Sequence, residues 1–180
     1  MPDLNHFEYV YKVKDLAELS GKKYLKIRSQ INKFKKNYQY TVEQITPGNR
    51  EEIFEFLIKW CKSKGCEKDL SLAQEIEAIF YAMEHFNELD IHGLLIRVDS
   101  QVSAIALFER LNANTALVHF EKGLSDFKGI YKAINKYTAE FLLDKVEFIN
   151  RESDLGIPGL REAKMRYYPH HMVAVYSIKR

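Results

Sequence analysis

Long apolar runs are missing from this sequence. No stretch approaches the roughly 20 residues that a membrane-spanning helix requires, and the opening MPDLNHFEYVYKVKD holds none long enough for a secretory leader. A cytoplasmic location is expected on those grounds. Proline is scarce at four residues and tryptophan occurs once, which argues against collagen-like or linker-rich chains. Only two cysteines are present, Cys61 and Cys66. That number excludes a dense disulfide framework, and the pair reads as two reduced thiols near a helix end. The six histidines (His6, His85, His92, His119, His170, His171) lack H-x-x-x-H spacing and stand apart from the cysteines, so no structural metal is expected. A large net charge is absent too, at +2.

What is present is enough apolar content, 46% of 180 residues, to bury the core of one domain. The expected organisation is a single domain over 1–180, with a basic helical lead-in over 1–37 and a core over 38–180. The near-neutral total hides an asymmetry. Residues 11–36 carry nine basic residues against two acids, a net +7, whereas residues 67–90 carry seven acids against one lysine, a net −6.

Hydrophobic spacing orders the chain. Residues 7–13 alternate as a short strand, and 15–36 read as a helix broken at Ser20-Gly21, with Tyr24, Ile27, Ile31 and Phe34 on one face. Residues 38–45 alternate as a strand. Thr46-Pro47 starts a helix that ends near Gly65. Ser71-Leu72-Ala73-Gln74 has the form of a capping box ahead of a helix whose stripe is Leu72, Ile76, Ile79, Met83 and Phe86. Three strand-like runs, 93–98, 102–111 and 115–122, are split by short turns and predict an antiparallel meander. A helix over 129–145, a strand over 146–150, a helix over 158–168 and a strand over 172–178 complete the list. Helices falling between strands of a mixed sheet predict an α/β (α+β) domain. The order from residue 38 is also that of the acyl-CoA N-acyltransferase (GNAT) fold: strand, two helices, three strands, helix, strand, helix, strand.

Three segments carry a resemblance. FINRESDLGIPGLREAKMRYYP over 148–169 is similar to the signature near the end of the phosphatidylglycerol lysyltransferase C-terminal-like family, with its Asn-Arg-Glu, Asp-Leu-Gly, Gly-Leu-Arg, lysine and Tyr-x-Pro. HFEKGLSDFKGIYKAIN over 119–135 resembles the preceding strand–loop–helix segment. EYVYKVKDLAELSGKKYLKIRSQINKF over 8–34 resembles the opening of the family's second half. Two departures stand out: Lys26-Ile27-Arg28-Ser29-Gln30 replaces a usual Lys-Lys-Arg-Asn-His, and Arg166 replaces a usual serine. The resemblance implies a GNAT-type fold and kinship with enzymes that move an aminoacyl group from aminoacyl-tRNA to an amine or lipid hydroxyl. It also implies a companion GNAT-like domain on the N-terminal side, as most members carry two in tandem.

The resemblance directs attention to particular residues. In a GNAT domain the acyl donor lies where two neighbouring strands splay, and its phosphates meet backbone N–H groups at the next helix start. Here that loop is EKGLSDFKG, with Lys122, Gly123, Lys128 and Gly129 expected at the donor. It is poorer in glycine and arginine than a coenzyme A loop, so aminoacyl-tRNA is the favoured donor and acyl-CoA the second. Glu121 is expected to accept a proton from the attacking nucleophile and Tyr168 to protonate the leaving group. Asn135, Asn150, Arg151, Arg161 and Lys164 are expected at the substrate, Arg151 as a bidentate partner of phosphate or carboxylate. Lys22, Lys23, Lys26 and Arg28 in the lead-in are expected to contact tRNA phosphates or another phosphate-bearing anion. The alternative is a non-catalytic module, the substrate-binding or structural half of a two-domain GNAT-like protein.

Overall fold

The computed structural model describes residues 3–176. Among them a seven-stranded sheet runs in the order β2-β3-β4-β5-β6-β1-β7. Its strands are β1 (Glu8–Lys12), β2 (Tyr40–Gln44), β3 (His92–Val98), β4 (Gln101–Arg110), β5 (Thr115–Gly123), β6 (Phe148–Asn150) and β7 (His171–Val173). All neighbours are antiparallel except β5 and β6, which are parallel. The helices are α1 (Val13–Glu18), α2 (Leu25–Asn37), α3 (Arg50–Lys64), α4 (Leu70–Glu84), α5 (Ile130–Leu142) and α6 (Pro158–Met165).

Alternation along the central strand explains the layers. Ala104, Ala106 and Phe108 of β4 face one side, where α1, α2 and α5 bring Leu16, Ile31, Phe34, Ala133 and Ile134. Ile105 and Leu107 face the other, where α3 and α4 bring Ile53, Leu57, Trp60, Ile79 and Met83. A strand buried on both faces thus reads as a continuous apolar run rather than a polar–apolar alternation. Gly93 sits where β3 meets β4 so closely that a Cβ would lie 2.8 Å from the Ala106 carbonyl oxygen.

Most predicted elements appear close to their expected limits, and the differences have local causes. The break at Ser20-Gly21 separates α1 from α2, with Leu19 left-handed at the end of α1. Residues 8–12 are a strand inserted between β6 and β7, so the basic lead-in begins inside the sheet. α4 is capped not by Ser71 but by Asp69, whose Oδ1 accepts from the N–H groups of Ser71 and Leu72 at 3.0 and 3.2 Å. An ionised carboxylate one step before the helix outcompetes a hydroxyl inside its first turn. α6 stops at Met165, and Tyr168 is left-handed at φ 54°. Of the last strand expected over 172–178, only 172 and 173 are strand, in β7; 174–176 are not, and the final two positions lie outside the described residues. Cys61 and Cys66 are not free thiols: they form a disulfide, with Cα atoms 5.2 Å apart. Gly65 makes this possible, since its φ of 70° turns the chain back on the end of α3.

No helix among the described residues is long and apolar enough to cross a membrane.

Candidate functional site

β5 and β6 pair at only three positions, Thr115 with Phe148, Ala116 with Ile149 and Leu117 with Asn150. Beyond them β5 runs on to Gly123 while the chain after β6 stays with β1, where Arg151 N–H donates to the Tyr9 carbonyl. The two strands therefore splay, and a cavity of about 870 Å³ opens between β5, the 151–155 segment, α5 and α6. A bulge prepares the opening. Leu107 pairs with Phe120 but Phe108 with Val118, leaving His119 as the extra residue on β5. The inserted residue shifts the side-chain parity, so Val118 and Glu121 both face α5 although three positions apart.

On the α5 side, Arg151 is the centre. Its Nη2 lies 2.9 Å from Glu121 Oε2, with the two side chains only 15% and 11% exposed. With the Asn135 amide oxygen turned to the guanidinium, as a donor-only group demands, Nε and Nη1 each donate to it at 3.2 Å. Tyr11 and Tyr167 present their rings to the guanidinium carbon at 5.9 and 5.3 Å. Burial opposes the Arg151 charge, but Glu121 and the two tyrosines outweigh it and its pKa moves up.

Lys164 reaches in from α6 and donates to the Arg151 carbonyl and, at 3.1 Å, to the Glu152 carbonyl. Burial first, then Arg151, pushes its pKa down to about 8. Lys132 from the first turn of α5 is also shifted down, by burial and then by Arg151. Burial raises the Tyr167 phenol well above the usual range.

The opposite wall faces α3 and α4. Lys122 Nζ lies 2.5 Å from Glu75 Oε2 and 4.5 Å from the centre of the Trp60 ring, while Trp60 Nε1 donates to the Tyr131 hydroxyl at 3.0 Å. His119 lies between two carboxylates, Nδ1 at 3.0 Å from Glu152 and Nε2 at 3.5 Å from Glu109. The Glu152 hydrogen bond, more than burial opposes it, raises the His119 pKa. Glu152 is itself left-handed at φ 57°, and its backbone is pinned by Asn150 Oδ1, Tyr9 N–H and Lys164. Backbone strain of this kind persists only where the surroundings over-determine it.

The expected residues divide. Glu121, Lys122, Lys128, Gly129, Arg151 and Lys164 line one cavity, and Asn135 backs it through Arg151. Asn150 is turned away to Glu8 Oε2 at 2.6 Å. Arg161 clamps the fully buried Asp154 through Nε at 2.7 Å and Nη2 at 2.9 Å and also reaches Asn5. Tyr168 is 47% exposed and stacks edge-on against Tyr24 at 5.6 Å, outside the cavity. Lys23 lies over those two rings, and Arg28 caps the Leu19 and Gly21 carbonyls. None of Lys22, Lys23, Lys26 and Arg28 lines the cavity; a shallower groove on α2 is bordered by Arg28, Lys33 and Lys36.

The expected phosphate loop spends much of its donor capacity internally. Ile130 N–H donates to the Phe127 carbonyl, Lys132 and Ala133 N–H to that of Gly129, and Lys128 N–H to the Tyr38 hydroxyl. Gly129, at φ 95°, is required because a Cβ would lie 2.5 Å from the Gln30 carbonyl oxygen. Spacing did not single out Trp60, Glu75, His119, Lys132, Tyr131 or Tyr167. Trp60 sat on a helix face that reads as core, and the parity change at the bulge left His119 without a pattern.

Residues 1–179 match the family described as Phosphatidylglycerol lysyltransferase, C-terminal. No curated protein is detectably similar in sequence. Among solved structures, a conserved protein of unknown function from Bacteroides thetaiotaomicron VPI-5482 is 33% identical with a TM-score of 0.91, over 98% of this chain and 62% of that one. The structure of L-PGS from Bacillus licheniformis is 14% identical with a TM-score of 0.64, over 94% of this chain and 58% of that one. Ribosomal-protein-alanine N-acetyltransferase from Brucella melitensis biovar Abortus 2308 is 16% identical with a TM-score of 0.55, over 79% of this chain and all of that one. The last, an N-acetyltransferase, gives the fold as GNAT-like. The chain spans about three fifths of the length of the first two structures.

Proposed function

The chain belongs to the phosphatidylglycerol lysyltransferase C-terminal family, and on that premise we propose that it is an acyltransferase moving an aminoacyl group from aminoacyl-tRNA to an amine or lipid hydroxyl. The observation that carries this reading is the splay of β5 from β6 with Glu121 and Arg151 facing each other across it. Acyl transfer needs a base for the nucleophile and an acid for the leaving oxygen. Glu121 takes the proton of the attacking N–H or O–H as the new bond to the acyl carbon forms. The bond to the ribose oxygen then breaks, and that oxygen is protonated by Lys164, whose pKa of about 8 suits an acid near neutrality. Lys164 takes the acid role here because Tyr168 lies on the surface. The basic α2 face, rich in Lys33, Lys35 and Lys36, attracts the phosphates of the tRNA body. Acyl-CoA is the less favoured donor because the loop before α5 is poorer in glycine and arginine than a coenzyme A loop.

A second reading has its own observation: Glu121 is already held by Arg151, as it would be in a non-catalytic module that only binds substrate. The two separate in a transfer assay. The chain is incubated with a labelled aminoacyl-tRNA pool and, in parallel, phosphatidylglycerol vesicles or a soluble primary amine. Labelled product, reduced about a hundredfold or more in Glu121→Gln, supports transfer. Salt-sensitive tRNA binding without product in either arm, or product unchanged in Glu121→Gln, sinks it.

A further inference from the structure

Three cationic groups converge on the α5 side of the cavity, and only one has a carboxylate partner there. Glu121 neutralises Arg151. Lys164 is held by two backbone carbonyls, which supply dipoles but no charge. Lys132 has neither: among the described residues no side-chain acceptor meets its Nζ, which lies 5.3 Å from the centre of the Tyr167 ring. A cation–π contact offsets only part of what burial removes from an ammonium.

Tyr167 supplies the second observation. The residue is 3% exposed and lines the cavity; its hydroxyl meets no protein acceptor among the described residues and, unlike the fully enclosed Thr138 Oγ1, opens to the cavity. Its neighbours Tyr11 and Tyr24 are also buried and both hydroxyls are satisfied, by the Lys164 and Tyr167 carbonyls at 2.9 and 3.0 Å. The Tyr167 hydroxyl is left instead to whatever fills the cavity. A vacant donor beside an ammonium without a counter-ion calls for one kind of occupant.

We propose that Lys132 and Tyr167 form an oxyanion subsite in the cavity that takes a phosphate group. Lys132 Nζ supplies the charge and a donor, the Tyr167 hydroxyl supplies a second donor, and Arg151, whose guanidinium also lies against the Tyr167 ring, adds field while Glu121 and Asn135 hold three of its five N–H donors. Phosphate is favoured over carboxylate by charge. Lys132 and Lys164 together leave two positive charges without a carboxylate, which a phosphate dianion balances and a carboxylate does not. The subsite stands whether or not the cavity transfers an acyl group. Its occupant is free phosphate or the phosphate of a larger ester.

The test is thermal unfolding of the full chain with inorganic phosphate, methyl phosphate, dimethyl phosphate, acetate and sodium chloride at matched ionic strength, with ³¹P line broadening as a second readout. The expected result is a saturable rise in Tm with phosphate or methyl phosphate that sodium chloride and acetate do not reproduce. A stronger response to methyl phosphate than to phosphate identifies an ester as the occupant; the reverse identifies the free ion. Lys132→Gln weakens binding about tenfold or more and Tyr167→Phe about fivefold. Without ligand, Lys132→Gln unfolds no lower than the wild type, because an unpaired ammonium no longer has to be buried. No saturable response overturns the proposal, as does a response that survives Lys132→Gln, which belongs to the α2 lysines. An equal response to acetate overturns the phosphate assignment.

Discussion

Replacing Arg151 by Met leaves the Glu121 carboxylate in the cavity wall without its counter-ion. With the pair only 15% and 11% exposed, solvent screens little of the loss. Breaking a buried ion pair from one side costs about 3–5 kcal/mol, mostly the penalty of the charge left behind. At about 2–4 °C per kcal/mol for a domain of this size, Tm falls by about 6–20 °C. Glu121→Gln is milder, about 1–3 kcal/mol, because Arg151 keeps Asn135 and gains an amide oxygen. Arg151→Met combined with Glu121→Leu removes both charges and costs less than Arg151→Met alone. The cycle is read by urea unfolding at pH 7, with thermal scans alongside. Lys164 gives an independent readout: burial is the larger cause of its lowered pKa and Arg151 the next, so Arg151→Met moves it upward from about 8. An Arg151→Met variant within about 1 kcal/mol of the wild type, or single-mutant losses that simply add, would refute the pair as the organiser of this wall.

Gly129→Ala forces a side chain into φ 95° and within 2.5 Å of the Gln30 carbonyl oxygen; about 2–4 kcal/mol is lost from left-handed strain and overpacking together, read by urea unfolding. Asp154 is held well below the usual carboxylate range, chiefly by its hydrogen bonds from Arg161. Its contribution is therefore present above its unfolded pKa, about 3.9, and is lost as pH falls through the lower folded value. Asp154→Asn should unfold below the wild type at pH 7, with the gap closing under pH 4; a gap that widens in acid contradicts the assignment. The raised pKa of His119 works in the opposite sense, its contribution complete below about 6.5 and lost as pH rises through the folded value. Imidazole shifts followed by NMR should move to lower pKa in Glu152→Gln and stay put in a surface Glu84→Gln control.

Local chemistry made the elements readable and remote pairing made the site hard to read. Thr46, which caps the short turn Pro47–Asn49 leading into α3, and the Gly65 stop lie within a few residues of what they control, as do the turns between β3, β4 and β5. Arg161 looked like a ligand residue because its partner Asn5 lies 156 positions away and Asp154 is hidden in the turn before α6. Asn150 was claimed by Glu8 from 142 positions away in the same manner. The expectation that Tyr168 faces the substrate assumes a helix over 158–168. The helix ends at Met165 instead, and Tyr167 turns inward while Tyr168 turns out. The disulfide escaped the composition argument because closure depends on the left-handed turn at Gly65.

The charge asymmetry was plain in the sequence, yet its two extremes do different work from the cavity. The +7 segment puts Lys26, Lys33, Lys35 and Lys36 on the solvent face of α2, with Ile27, Ile31 and Phe34 turned to the core, so their field acts outside the cavity. The −6 segment reaches the cavity through Glu75, which pairs with Lys122. The unbalanced charge within comes instead from Lys132 and Lys164, single lysines on α5 and α6 that belong to no charge run. On the proposed reading a long polyanion is attracted at one place and a small oxyanion held at another. Neutralising Lys33, Lys35 and Lys36 should flatten the salt dependence of tRNA binding while leaving the phosphate response in the cavity intact, and Lys132→Gln should do the converse. If both responses fall together in either variant, the two fields are one site and the division drawn from the fold is wrong.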